Sequence, residues 1–122
     1  MNACTPLTAH PALSRLTDRA LLRTLGHIDG RWTAAPDAAD FAVTDPASGA
    51  LVARVAALGE AETDAAIAAA TIAFPAWAAR LPQERARILR RWGELMLAAT
   101  EDLALIMTLE QGKPLAESRG EI

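Results

Sequence analysis

At Gly59 the period of the sequence changes, and that change constrains the fold more than any other feature. Before it, short apolar–polar alternations sit between turn-forming pairs. After it, apolar residues recur every three or four positions. Alternation suits a half-buried strand and the longer period suits one face of a helix, so the chain should place strands first and helices after. Asp29-Gly30 is a favoured pair for a two-residue type I′ turn within Gly26–Trp32. Phe41–Thr44 alternates, Asp45-Pro46-Ala47-Ser48-Gly49 carries turn chemistry, and Leu51–Val55 returns. Two hairpins are predicted, the second better marked than the first.

Beyond Gly59, Ile67, Ala70, Phe74 and Trp77 share one helical face, with Glu60, Glu62 and Asp64 near the positive end of the helix dipole. Pro75 should end or kink that helix just before it. Pro82 restarts a helix whose stripe is Ile88, Leu89, Trp92, Leu95, Met96 and Ala99. Thr100 is the expected cap of a third helix, striped by Leu103, Ile106, Met107 and Leu109. Gly112 stands where a left-handed residue would close it, and Pro114 belongs in the first turn of a fourth. That last helix runs only to Ile122, which reads as a cut through an amphipathic element. Arg15–Thr24 suggests a further short helix with Leu16, Ala20 and Leu21 on one face, and Met1–Ser14, broken by Pro6 and Pro11, should fray. Residues 1–15 are therefore assigned to a frayed terminus and 16–122 to a single truncated domain.

Bulk properties remove several functions. A net charge of −3 with pI near 5.3 gives no electrostatic case for nucleic acid. No run approaches the ~20 apolar residues of a membrane span. A lone cysteine, Cys4, cannot form an internal disulfide, so a reducing, cytoplasmic setting is expected. Cys4 lacks an activating base nearby in sequence, and His10 and His27 are too isolated for a metal site or a triad. The glycines never form G-x-G-x-x-G after a strand, so no dinucleotide loop is visible. The sequence holds no catalytic constellation.

Two charged residues need an account. Arg85 falls within ~30° of the centre of the Leu89/Trp92/Met96 stripe, at ~100° per residue. An unpaired buried guanidinium is costly, so Arg85 is expected to make a structural ion pair or to donate to carbonyls, with Glu110 one candidate partner. Arg80, Arg87, Arg90 and Arg91 lie on the other side and read as a solvated face. Glu110 itself is either a helix-end carboxylate engaged by Arg85 or Lys113, or part of a binding site.

The run T-L-E-Q-G-K-P-L-A-E at 108–117 resembles a segment of aldehyde dehydrogenases, most closely of their succinate-semialdehyde branch. I-D-G-R-W at 28–32 looks like that family's opening hairpin, and F-A-V-T-D-P-A-S-G at 41–49 is similar to its F-x-V-x-N-P-A-T-G, with Asp45 replacing the usual Asn. A-I-A-A-A-T-I-A-F-P-A-W at 66–77 and E-R-A-R-I-L-R-R-W at 84–92 resemble its next two helices, so the likeness is colinear from about Leu22 to Ile122.

The resemblance implies an α/β enzyme, of which this chain would be the N-terminal part of a Rossmann-like cofactor-binding domain. It implies an NAD or NADP cofactor, a small aldehyde substrate and a homo-oligomer, with no nucleic-acid or membrane partner. The family's cysteine attacks the aldehyde, hydride passes to NAD(P)+, and a glutamate assists hydrolysis of the thioester. All of these lie at positions this chain does not contain, so no catalytic or cofactor-binding residue is assigned and the chain alone should be inactive. In some members an acidic residue at the place of Glu110, with main-chain oxygens matching Val43 and Thr44, holds a structural monovalent cation. The contrasting reading is a stand-alone, non-enzymatic helical module that binds a protein partner through its apolar stripes.

Overall fold

The structure is a computed structural model and describes residues 10–122. Strands precede helices. The order is β1 (Gly26–Ile28), β2 (Arg31–Thr33), β3 (Asp40–Thr44), β4 (Leu51–Ala56), α1 (Glu60–Ala78), α2 (Pro82–Ala98), α3 (Thr100–Gln111) and α4 (Leu115–Gly120). β1 pairs with β2 and β3 with β4, giving two separate two-stranded sheets. In the first, Asp29 and Gly30 both have positive φ (48° and 74°), the conformation that the type I′ turn demands. It sets the antiparallel register His27 opposite Trp32, whose rings meet edge to face at 5.0 Å.

The chain divides into two compact units. The first comprises the described part of Met1–Thr24 with Phe41–Val55 and Thr100–Ile122; the second comprises Leu25–Asp40 and Ala56–Ala99. The core of the first unit is Leu13, Leu16, Val52, Leu105 and Leu109, with Leu22, Val43 and Ile106 packed against it. Burying a leucine of this kind contributes about 1.5–3 kcal/mol. The second unit is built differently. Neither α1 nor α2 buries a single residue, although both are capped: the Glu62 carboxylate accepts from the Gly59 N–H at 2.8 Å, and Glu84 accepts from the Leu81 N–H at 3.3 Å.

The structure departs from the sequence reading before β1 and at Pro75, and by one position at two helix starts. Thr100 is the first residue of α3 instead of its cap, and Pro114 is the cap of α4 instead of lying in its first turn. Residues 10–15 do not fray: Pro11–Arg15 forms a short 3-10 turn, and Leu13 and Leu16 enter the core, as the His10 N–H bonds the Leu51 carbonyl at 2.7 Å. The expectations for residues 1–9, Cys4 included, lie outside the described residues. Arg15–Thr24 is not one helix, because the Asp102 carboxylate takes the N–H groups of Thr17 and Asp18 (2.9 and 2.8 Å) and leaves Leu16 extended, so only Arg19–Leu21 turns. Pro75 does not end α1. It stands near the C-terminus, so its missing donor frees only the exposed Thr71 carbonyl, and the last turn closes beyond it through Ala79 N–H to Pro75 O at 3.0 Å.

The end of α3 follows the expected chemistry. Gly112 adopts φ +75° and its N–H bonds the Thr108 carbonyl at 2.8 Å. Pro114 is the cap of α4, one position before the first turn. The fully buried Ser118 of α4 shares a 2.9 Å hydrogen bond with Thr108 of α3, tying the two helices together. A Cβ at Gly112 would lie 2.7 Å from Cγ of Pro46, in a conformation that L-residues resist. Gly112→Ala should therefore cost roughly 1–3 kcal/mol, measured by urea unfolding of the 122-residue chain; a change within error would show that neither the clash nor the left-handed φ constrains this turn.

Candidate functional site

The turn leaving β3 and the end of α3 form the most structured polar region of the first unit. Strand β3 ends at Val43, half-buried on the core, and the exposed Thr44. The next residue, Asp45, is only 7% exposed and organises the turn. Its carboxylate accepts from the Ala47 N–H (2.9 Å) and the Ser48 hydroxyl (2.6 Å), while its main chain closes the loop to Ala50 and Gly49. His10 reaches the same carboxylate at 3.2 Å from 35 residues away. Because the Ala12 N–H donates to Nδ1 of His10 (3.1 Å), the neutral imidazole carries its proton on Nε2 and donates it to Asp45.

Serine, histidine and aspartate thus meet, but in an order that cannot activate a nucleophile. Ser48 donates to the carboxylate instead of to the imidazole, so no base faces its oxygen. The group is a staple. The Ser48 hydroxyl and then the Ala47 N–H hold the Asp45 carboxyl below its ordinary pKa, with His10 adding to them and burial opposing. The sign follows: a carboxyl whose folded pKa is depressed stabilises the fold above the unfolded value, and that contribution vanishes as pH falls through the folded one. Unfolding free energy should fall below about pH 4, and Asp45→Asn should lessen that acid dependence. Superimposable pH profiles for the two proteins would remove Asp45 from the account.

Glu110 is exposed in the last turn of α3, directly after the buried Leu109. The neighbouring Lys113 pairs with Glu121. Val43 packs on the core to which Leu109 belongs, and Pro46 stands against Gly112 two residues beyond Glu110. The β3 exit and the α3 end are therefore neighbours. Among the described residues no group of three His, Cys, Asp or Glu side chains is placed to hold a metal ion. Arg85 lies on α2 in the second unit, and its Nε is buried without a hydrogen-bond partner among the described residues.

Sequence reasoning missed two residues. Asp102, 7% exposed, is the anchor for Thr17 and Asp18, and its only local signal was an acidic position in a first helical turn. His10 had no local signal at all, since its partner is remote. A shallow, mostly apolar groove in the second unit lies between His27–Gly30 of the first hairpin and the alanines Ala66, Ala69, Ala70 and Ala73 of α1. Among the described residues no helix is long and apolar enough to cross a membrane.

The described residues form two small hairpins followed by four helices. This arrangement matches the succinate-semialdehyde dehydrogenase of Burkholderia pseudomallei with a TM-score of 0.83 and 50% identity, over 87% of this chain and 22% of that one. The chain belongs to the aldehyde dehydrogenase family, whose sequence model matches residues 32–122. Among curated relatives it is 49% identical over 108 residues to the NADP+ succinate-semialdehyde dehydrogenase of Escherichia coli K12, and 47% identical over 108 residues to the glutarate-semialdehyde dehydrogenase of Pseudomonas aeruginosa. In both comparisons the match covers 88% of this chain and 22% of the relative, so the chain spans about a fifth of the length of these proteins.

Proposed function

We propose that this chain is the N-terminal portion of an NAD(P)+-dependent aldehyde dehydrogenase that oxidises succinate semialdehyde to succinate. The observation that carries the reading is the colinear match, near 50% identity, to succinate-semialdehyde dehydrogenases. The described residues supply no activated nucleophile, and the chain's part in the reaction is to build one piece of the scaffold that carries it. Its partners in that role are the rest of the enzyme and, through it, a small aldehyde, NAD or NADP, and further copies of the subunit.

The 122-residue chain alone, given succinate semialdehyde and NAD+ or NADP+, should produce no reduced cofactor above the blank at 340 nm; turnover would place the chemistry inside this chain and overturn the assignment. The open reading frame continued past codon 122 should yield a protein that reduces NAD(P)+ faster with succinate semialdehyde than with glutarate semialdehyde. The opposite ranking would move the substrate to the five-carbon homologue.

The same reading gives Glu110 a role: with main-chain oxygens of Val43 and Thr44 it holds a structural monovalent cation. The closeness of the β3 exit to the end of α3 supports this, and the neighbouring Lys113 is engaged by Glu121 and not by Glu110. Thermal unfolding in Na+ or K+ against choline should show stabilisation by the small cations that Glu110→Gln removes. Equal melting in all three salts would sink the site.

A further inference from the structure

The segment before β1, residues 10–24, is held differently from the elements it touches. It contains only two 3-10 turns, Pro11–Arg15 and Arg19–Leu21, a geometry too weak to persist alone. Yet it is fixed at successive points along its length. The His10 N–H donates to the Leu51 carbonyl at 2.7 Å, and its Nε2 lies 3.2 Å from the Asp45 carboxylate. Leu13 and Leu16 enter the cluster with Val52, Leu105 and Leu109. The Asp102 carboxylate then takes the Thr17 N–H on one oxygen and the Asp18 N–H on the other, at 2.9 and 2.8 Å. Between these points the segment faces water, with Ser14, Arg15, Arg19 and Ala20 exposed.

Its internal hydrogen bonds join the anchors end to end. The Leu13 N–H bonds the His10 carbonyl, the Leu16 N–H that of Leu13, and the Leu21 N–H that of Asp18, at 3.1, 3.3 and 3.2 Å. The elements beneath keep their own bonds without it. α3 closes its own helical ladder and is tied to α4 through Thr108 and Ser118, while β3 pairs with β4.

We propose that residues 10–24 are a detachable strap, which opens and closes as one body over a first unit that stays folded, with Asp102 as its clasp. Proteins open locally in contiguous groups, and those with the fewest buried contacts of their own open first. Opening gives up two buried leucines and the anchoring hydrogen bonds, and returns backbone freedom to the whole segment. Partial release is the costly state. Asp102 is only 7% exposed, so amides that slipped from it while Leu16 stayed seated would leave a buried carboxylate unpaired. The open form uncovers an apolar seat of Val52, Leu105 and Leu109 and bares the carboxylates of Asp45 and Asp102.

Native-state hydrogen exchange of the 122-residue chain, followed amide by amide by NMR at neutral pH, tests the strap. The amides of Leu13, Leu16, Thr17 and Asp18, all hydrogen-bonded when it is closed, should share one protection factor, at least ~10-fold below those of Leu105 and Leu109. Thr108→Val should lower protection at Leu105 and Leu109 and leave the strap amides unchanged, because the contact it removes is present whether the strap is open or closed. Asp102→Ala should lower the strap amides together by roughly tenfold or more. Asp102→Asn, which keeps one acceptor oxygen, should fall between.

Protection that is uniform or absent across the strap and α3 would overturn the proposal, since both would then open together. Values falling steadily from Asp18 back to Leu13 would make the segment a fraying end and not a strap. An Asp102→Ala change that acts on Leu105 and Leu109 alone would reduce Asp102 to a favourable charge in the first turn of α3.

Discussion

Leu105 and Leu109 of α3 are the residues on which the first unit depends. They lie one helical turn apart and share one buried cluster with Val52 of β4 and with Leu13 and Leu16 from the segment before β1. Nothing local would hold that segment there, since it contains only two short 3-10 turns. Its order is borrowed from the rest of the unit: burial of the two leucines offsets part of the conformational entropy lost, and the hydrogen bonds to Leu51 and Asp102 add to it.

Polar contacts then fix what the apolar contacts only gather. Asp102 takes two main-chain donors at the point where the segment must stop turning and run extended. Asp45 takes a hydroxyl, an amide and an imidazole, and so locks the β3–β4 turn to His10. The Arg119–Glu101 pair between α4 and α3 is bidentate, at 2.8 and 2.7 Å, but both side chains are exposed and such pairs contribute little. The hydrogen bond between Thr108 and Ser118 matters more, because loss of the Thr108 hydroxyl would leave that of the fully buried Ser118 unpaired.

The second unit is built differently from the first. Its helices are well capped and correctly phased, yet their large apolar side chains face solvent. The chain spans about a fifth of its relatives' length, and it leaves these apolar side chains on its surface.

Much of this was legible in the sequence wherever a local rule governs. The Asp29-Gly30 turn, the left-handed Gly112, the proline at the start of α2 and the acidic first turn of α1 follow from φ preferences and the helix dipole, which act within a few residues. The motif at 108–117 also carried the family. Tertiary structure alone decided the rest. His10 finds Asp45 across 35 residues, Asp102 finds Thr17 and Asp18 across 85 and 84, and α1 runs through Pro75 because that proline stands near a helix end with its freed carbonyl in water. Arg85 marks the limit of periodicity as a guide: the spacing placed it on the apolar stripe of α2, but not what its Nε would meet. A short-range pattern specifies which face a residue occupies, while the partner of a buried charge depends on which remote segment the folded chain brings to it.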